Sequence, residues 1–159
     1  MNNIIPKLPK LDLVIENQLI NYLGYLPSEP QLIAWTEATL AHCAQAALAI
    51  VFLNITDMQE YNAHYRQQNK PTNVLAFPAD EITIHDEPQL LGDILVCPDI
   101  INNEAESQQI HPEAHWKHII VHGILHLLGY DHQAEHDAQT MEAEEIRILA
   151  QLGVANPYE

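Results

Sequence analysis

Apolar positions along this chain fall into short runs that alternate between strand-like and helix-like spacing. Residues 11–15 predict a first short strand, and the unbroken apolar run 48–53 predicts a buried one. Between them Ser28, Glu29 and Pro30 make a helix start, and the pattern predicts a helix through residue 44 with Ile33, Leu40, Ala41 and Ala44 inward. Thr56-Asp57-Met58-Gln59 has the form of a capping box. It predicts a helix from Asp57 that carries Met58, Tyr61 and Tyr65 on one side and ends at Arg66. Residues 74–77 and 91–97 read as two further strands, with the acidic, proline-containing stretch 79–88 as an exposed loop or weak hairpin between them. Pro98 opens a short helix to about residue 107, and Pro112 with Glu113 opens another that ends near residue 128. Residues 135–152 predict a last helix with Ala138, Met141, Ile148, Leu149 and Leu152 inward. This interleaving predicts an α+β (α/β-like) fold, a single mixed sheet of about four strands packed with about five helices.

Composition adds bounds to that picture. A chain of 159 residues, 47% of them apolar, can bury a core without covalent staples, so a single domain over residues 1–159 is expected. Cys43 and Cys97 lie in apolar surroundings without paired spacing, and no long apolar run follows a basic segment at the start. The longest apolar run, residues 46–53, is far short of a membrane span. A soluble, reduced, cytoplasmic protein, monomeric and without membrane contact, is the expectation.

The chemistry concentrates in His122-Gly-Ile-Leu-His126-Leu-Leu-Gly129-Tyr-Asp-His132. In an α-helix four residues advance the chain by about 400° and rise about 6 Å, so His122 and His126 point from one face on successive turns. Gly129 can take positive φ and end the helix, letting the chain turn His132 back toward the pair. Three histidines leave one position open, as in catalytic zinc sites; structural sites are usually closed by four protein ligands. The zincin pattern His-Glu-x-x-His places a general base beside the first histidine, but that position is Gly123, which disfavours a peptidase. Imidazole ligands also suit nickel, copper and iron.

Around this run the chain resembles a known family. The histidine block, together with Tyr65-Arg66, the run Lys70-Pro-Thr-Asn-Val-Leu-Ala-Phe-Pro78 and Leu91-Gly-Asp-Ile94, is similar to the bacterial YbeY-type rRNA maturation factors. The three blocks occur in the family's order and cover residues 65–132 directly, with a compatible pattern of elements from about 10 to 152. The resemblance implies a zincin-like sheet with the motif helix beneath the active cleft. It implies a single-strand-specific, metal-dependent endoribonuclease acting in rRNA processing, at the 3′ end of the small-subunit (16S) RNA, and in ribosome quality control. It further implies one zinc ion per chain on His122, His126 and His132, with Arg66 and His122 as catalytic residues.

Each of these residues also has a plainer role available. Ten histidines make chance helical pairs unavoidable, and His118 with His122 is one such pair. His118 and His126 lie about 12 Å apart along the axis, so one ion cannot take both; His115 and His118 are expected to be solvated or near the cleft. Asp131 is either an acceptor that orients a ligand histidine or an exposed turn residue. Met141 either packs beneath the metal site or is simply core. Thr72 and Asn73 either shape the cleft or cap the turn before the strand. Arg66 is one of only six Lys and Arg residues; its guanidinium can clamp a phosphate, or pair with one of 22 acids at the surface.

The net charge of −16 opposes nonspecific RNA binding. Arg66, Lys70 and Lys117 with a metal ion can make only a local positive cleft, and the acidic remainder favours small-subunit docking through basic ribosomal proteins. Two other function classes remain open: a non-catalytic ribosome-assembly factor with a structural metal, and a metal-dependent hydrolase of another substrate.

Overall fold

The computed structural model describes residues 11–43, 45–80, 89–130 and 134–159. Four strands, β1 (Leu11–Asn17), β2 (Ala46–Phe52), β3 (Val74–Pro78) and β4 (Gln89–Val96), form one sheet in the order β1-β2-β4-β3. β1, β2 and β4 run parallel, and β3 pairs antiparallel on the outer side of β4. Five helices complete the fold: α1 (Glu29–Thr39), α2 (Ile55–Arg66), α3 (Pro98–Gln108), α4 (Pro112–Leu127) and α5 (Glu135–Gln151). The mixed four-strand sheet with five helices is the architecture the sequence pattern predicts. No described helix is long and apolar enough to cross a membrane.

The central strand β2 is apolar on both faces because both are covered, whereas the edge strand β1 alternates, with Asp12, Val14 and Glu16 exposed. On one face Ile50, Phe52, Ile94 and Val96 pack with Leu32 and Trp35 of α1, Ile101 of α3, and Trp116, Ile120 and Ile124 of α4. On the other, Val51, Leu75 and Leu95 pack with Met58 of α2. α5 lies against the outside of α4 through Val121, Leu125, Met141, Ile148 and Leu149. α4 is therefore sandwiched between sheet and α5, and Trp116 at its start sits edge-on to Tyr25 and Phe52.

Backbone geometry fixes the sheet's edge. β4 carries one extra residue opposite Ala47/Leu48 of β2, and Gly92 beside this irregularity has φ +135°. A Cβ there would lie 2.1 Å from the Phe77 carbonyl oxygen, so only glycine lets β3 approach β4 at that point.

Two sequence-based expectations are corrected, at α1 and α2. α1 ends at Thr39 rather than at residue 44, and Ala44 lies outside the described residues. Its buried residues are Leu32, Trp35, Thr36 and Thr39; Leu40, the cap that follows, is buried as expected, whereas Ile33 is half-buried and Ala41 exposed. The Ser28 capping box at its start is present in both directions. α2 begins two residues earlier than the Thr56 box predicts: Asn54 Oδ1 accepts from the Asp57 amide, so Asn54 is the cap. The loop or hairpin expected at 79–88 lies mostly outside the described residues, which resume at Gln89.

Candidate metal centre

α4 brings the histidines together. His111 caps its first turn, and the last turn closes with Gly129 at φ +98°: the Gly129 amide donates to the His126 carbonyl and the Tyr130 amide to that of Leu125. This double bond pattern is the glycine-terminated helix end that the sequence predicts. His122 and His126 lie one turn apart, half-buried, with their Nε2 atoms 3.1 Å from each other. Two imidazole nitrogens on a tetrahedral zinc ion at 2.0–2.1 Å would be separated by roughly 3.3 Å. The pair therefore already has the spacing of two ligands of one ion. His132 and Asp131 lie outside the described residues.

Glu145 of α5 sets the protonation of this pair. Its carboxylate is fully buried, and His122 Nδ1 lies 2.6 Å from Oε1 while His118 Nε2 lies 3.0 Å from Oε2. The Tyr158 hydroxyl donates to the same Oε2. Burial alone would raise this carboxyl, but the hydrogen bonds from His118, His122 and Tyr158 outweigh it and hold the group at about 2. Burial and the bond to Glu145 push the Tyr158 hydroxyl up. An ionised carboxylate only accepts, so each of its three partners must bring a hydrogen. The proton of His122 is thus on Nδ1, and in the neutral ring Nε2 presents its lone pair toward His126. This is the tautomer that a metal ligand needs.

His118, His122 and Glu145 also place one ligand atom each within 4.8 Å of one another, a group that could hold a cation. An ion at that point would displace the hydrogens that His118 and His122 donate to the carboxylate. The two arrangements compete for His122: one uses its Nδ1, the other its Nε2.

Of the two places expected for His115 and His118, solvent or the neighbourhood of the cleft, His118 takes the second, beside Glu145 and His122. His115 is 5% exposed and its Nε2 lies 3.0 Å from Glu104 Oε1, which also accepts from Asn73 Nδ2. Burial would raise Glu104, but the hydrogen bonds from His115 and Asn73 hold it below the usual carboxylate range. Asn73 thereby ties the start of β3 to α3 and α4. Met141 is core, packed among Val121 and Leu125. Arg66 is the exposed last residue of α2, and no hydrogen bond or ion pair among the described residues joins it to the histidines. Gln67 follows at φ +56° and turns the chain toward β3, the edge strand that borders α4.

Gly123 has a positive reason as well as a negative one. A Cβ at this position would lie 3.1 Å from Val74 and 3.2 Å from Ile94, so the helix backbone rests directly on β3 and β4. The glutamate of the zincin peptidases would be driven into the sheet here, away from the histidine face. Gly123→Ala is expected to lose about 1 kcal/mol in chemical denaturation, crowding of about 2 offset by about 1 of helix propensity. A gain in stability would show that the strands yield.

Glu145 and Tyr158 are site residues that sequence reasoning missed. Glu145 was detectable in principle: it lies four residues after Met141 and three before Ile148, an acid in the middle of the buried stripe of α5. Tyr158 gave no such signal.

Comparison with known proteins settles the lineage. The family model described as "Endoribonuclease YbeY" matches residues 28–153, which include α4, Glu145 and the Arg66 block. The chain belongs to the YbeY endoribonuclease family. A relative from Alkalilimnicola ehrlichii named Endoribonuclease YbeY is 43% identical over 155 residues, 94% of this chain and 92% of its own. The solution structure of TM1509 from Thermotoga maritima covers 88% of this chain and 92% of its own, with a TM-score of 0.53 at 23% identity, and shares the fold. The YbeY-type resemblance drawn from the three sequence blocks is thus correct.

Proposed function

We propose that this YbeY-family protein is a cytoplasmic, single-strand-specific endoribonuclease, dependent on one zinc ion per chain, that processes ribosomal RNA. Its substrate would be the 3′ end of 16S RNA, with a further part in ribosome quality control. The observation that carries the reading is the 3.1 Å convergence of His122 and His126 Nε2, with the His122 proton fixed on Nδ1 by Glu145. His122, His126 and His132 would hold the ion through nitrogen, leaving a position for the substrate. When bound, zinc supplies Lewis-acid polarisation of the scissile phosphodiester.

The chain's own residues do the rest. Glu145 keeps His122 in the ligand tautomer and orientation and accepts charge from it. Gly123 seats the histidine helix directly on β3 and β4 and leaves no carboxylate there to act as the base of a peptidase. Arg66, at the far side of edge strand β3, would hold a backbone phosphate in two parallel hydrogen bonds and set the register of the RNA against the histidines. Arg66→Ala is expected to lower kcat/KM on single-stranded RNA by about 10- to 100-fold while metal content stays at the wild-type level. Cleavage unchanged within error would remove Arg66 from the site.

Charge argues for delivery by the ribosome. At −16 the protein repels free polyanions, and its acids favour basic proteins of the small subunit as the docking surface for a monomer. Co-sedimentation with small subunits that weakens as salt rises is the expected behaviour; binding to arbitrary free RNA that is tight and insensitive to salt would contradict it.

A further inference from the structure

We propose that Tyr158 is a positioning residue of the metal centre: its hydroxyl locks the Glu145 carboxylate that holds His122 in place. The inference rests on the reading of His122 and His126 as metal ligands. Its basis is the distribution of donors over the two carboxylate oxygens. Among the described residues Oε1 takes His122, whereas Oε2 takes His118 and Tyr158 together. With two donors on one oxygen, the carboxylate cannot turn about its own axis without breaking both. Without the phenol, only His118 holds Oε2, and Oε1 is freer to move away from His122.

Tyr158 is itself brought to this point by several independent devices. Gly153 at φ +81° ends α5, with its amide donating to Ala150 and that of Val154 to Leu149, so the chain folds back along α5. Lys117 Nζ on α4 donates to the Leu152 carbonyl and ties this turn to the histidine helix. The Tyr158 amide donates to Asn156 Oδ1, and the phenol ring stands edge-on to His118 at 5.7 Å. The ring is 44% exposed, yet its hydroxyl reaches a carboxylate with no exposure at all. A tyrosine serving only as packing would have no need of that reach.

The test is zinc affinity by chelator competition on the full chain, for wild type, Tyr158→Phe, Glu145→Gln and the double variant. Tyr158→Phe is expected to raise the zinc Kd by about tenfold, the scale of losing a hydrogen bond behind a ligand. The double variant should be no weaker than Glu145→Gln alone, because the phenol acts only through that carboxylate. A Kd for Tyr158→Phe within about twofold of wild type, or effects that multiply in the double variant, would overturn the proposal. The wild-type Kd reports separately on the histidine reading: if the folded protein takes up no zinc, that reading fails and this one with it. Should Glu145→Gln not fold, the His122 Nδ1 proton resonance of zinc-free wild type and Tyr158→Phe decides instead. It should move or broaden in the variant, and an unmoved resonance counts against the lock.

Discussion

Glu145→Ala is expected to destabilise the protein by about 3 kcal/mol, the scale of leaving three donors without their acceptor at about 1 kcal/mol each. The substitution leaves the donors of His118, His122 and Tyr158 without the buried carboxylate they share. The loss should appear in urea melts as a lower midpoint with an unchanged slope. A change below about 1 kcal/mol, the worth of one ordinary hydrogen bond, would mean that the carboxylate is not the hub described. The same residue sets the acid limit. Its carboxyl goes from an ordinary 4.5 to about 2 in the fold, so its contribution is fully present above about pH 4.5 and is lost as pH falls toward 2. A shift of that size corresponds to roughly 3 kcal/mol. Wild type should therefore lose stability steeply in this window and Glu145→Ala much less; parallel pH profiles would contradict the assignment.

The second large effect is expected from His126→Ala. Its Nε2 is one half of the 3.1 Å pair, so removal leaves His122 without its neighbouring ligand. Zinc affinity should fall by at least about 100-fold, the upper end of what a supporting residue alone costs, and RNA cleavage should fall below detection. The side chain is half-buried, so the apo fold should survive, which circular dichroism can check. Retained cleavage by a folded, metal-free His126→Ala protein would exclude the pair from the chemistry.

How far the sequence reveals this arrangement depends on the range of the interaction. His122, His126 and the Gly129 helix end belong to one helix, and their geometry follows from its pitch alone. The sheet and its helices were legible because both faces of β2 and β4 are buried and the runs are correspondingly apolar. The ends of α1 and α2 were not: α1 stops at the Leu40 cap, and Asn54 caps α2 through a local bond to the Asp57 amide that competes with the equally well-formed Thr56 box. The partners of His115 and His118, Glu104 and Glu145, were not legible because they come from α3 and α5. Glu145 is missed although an acid on a buried stripe is a readable signal, because the stripe does not say which residues that acid meets. The reach of Tyr158 depends on the Gly153 turn and on where α5 packs against α4, neither of which a linear pattern states. His132, the third ligand expected from the sequence, lies outside the described residues and remains part of the proposal.

The most direct test of the metal-dependent nuclease reading is the metal content of purified wild-type protein, measured beside its cleavage of single-stranded and duplex ribosomal RNA. The account predicts about one zinc per chain, and cutting of the single strand that disappears on chelation and returns with zinc. Full cleavage by folded protein stripped of metal would contradict it, as would a zinc-loaded protein that leaves single-stranded RNA intact.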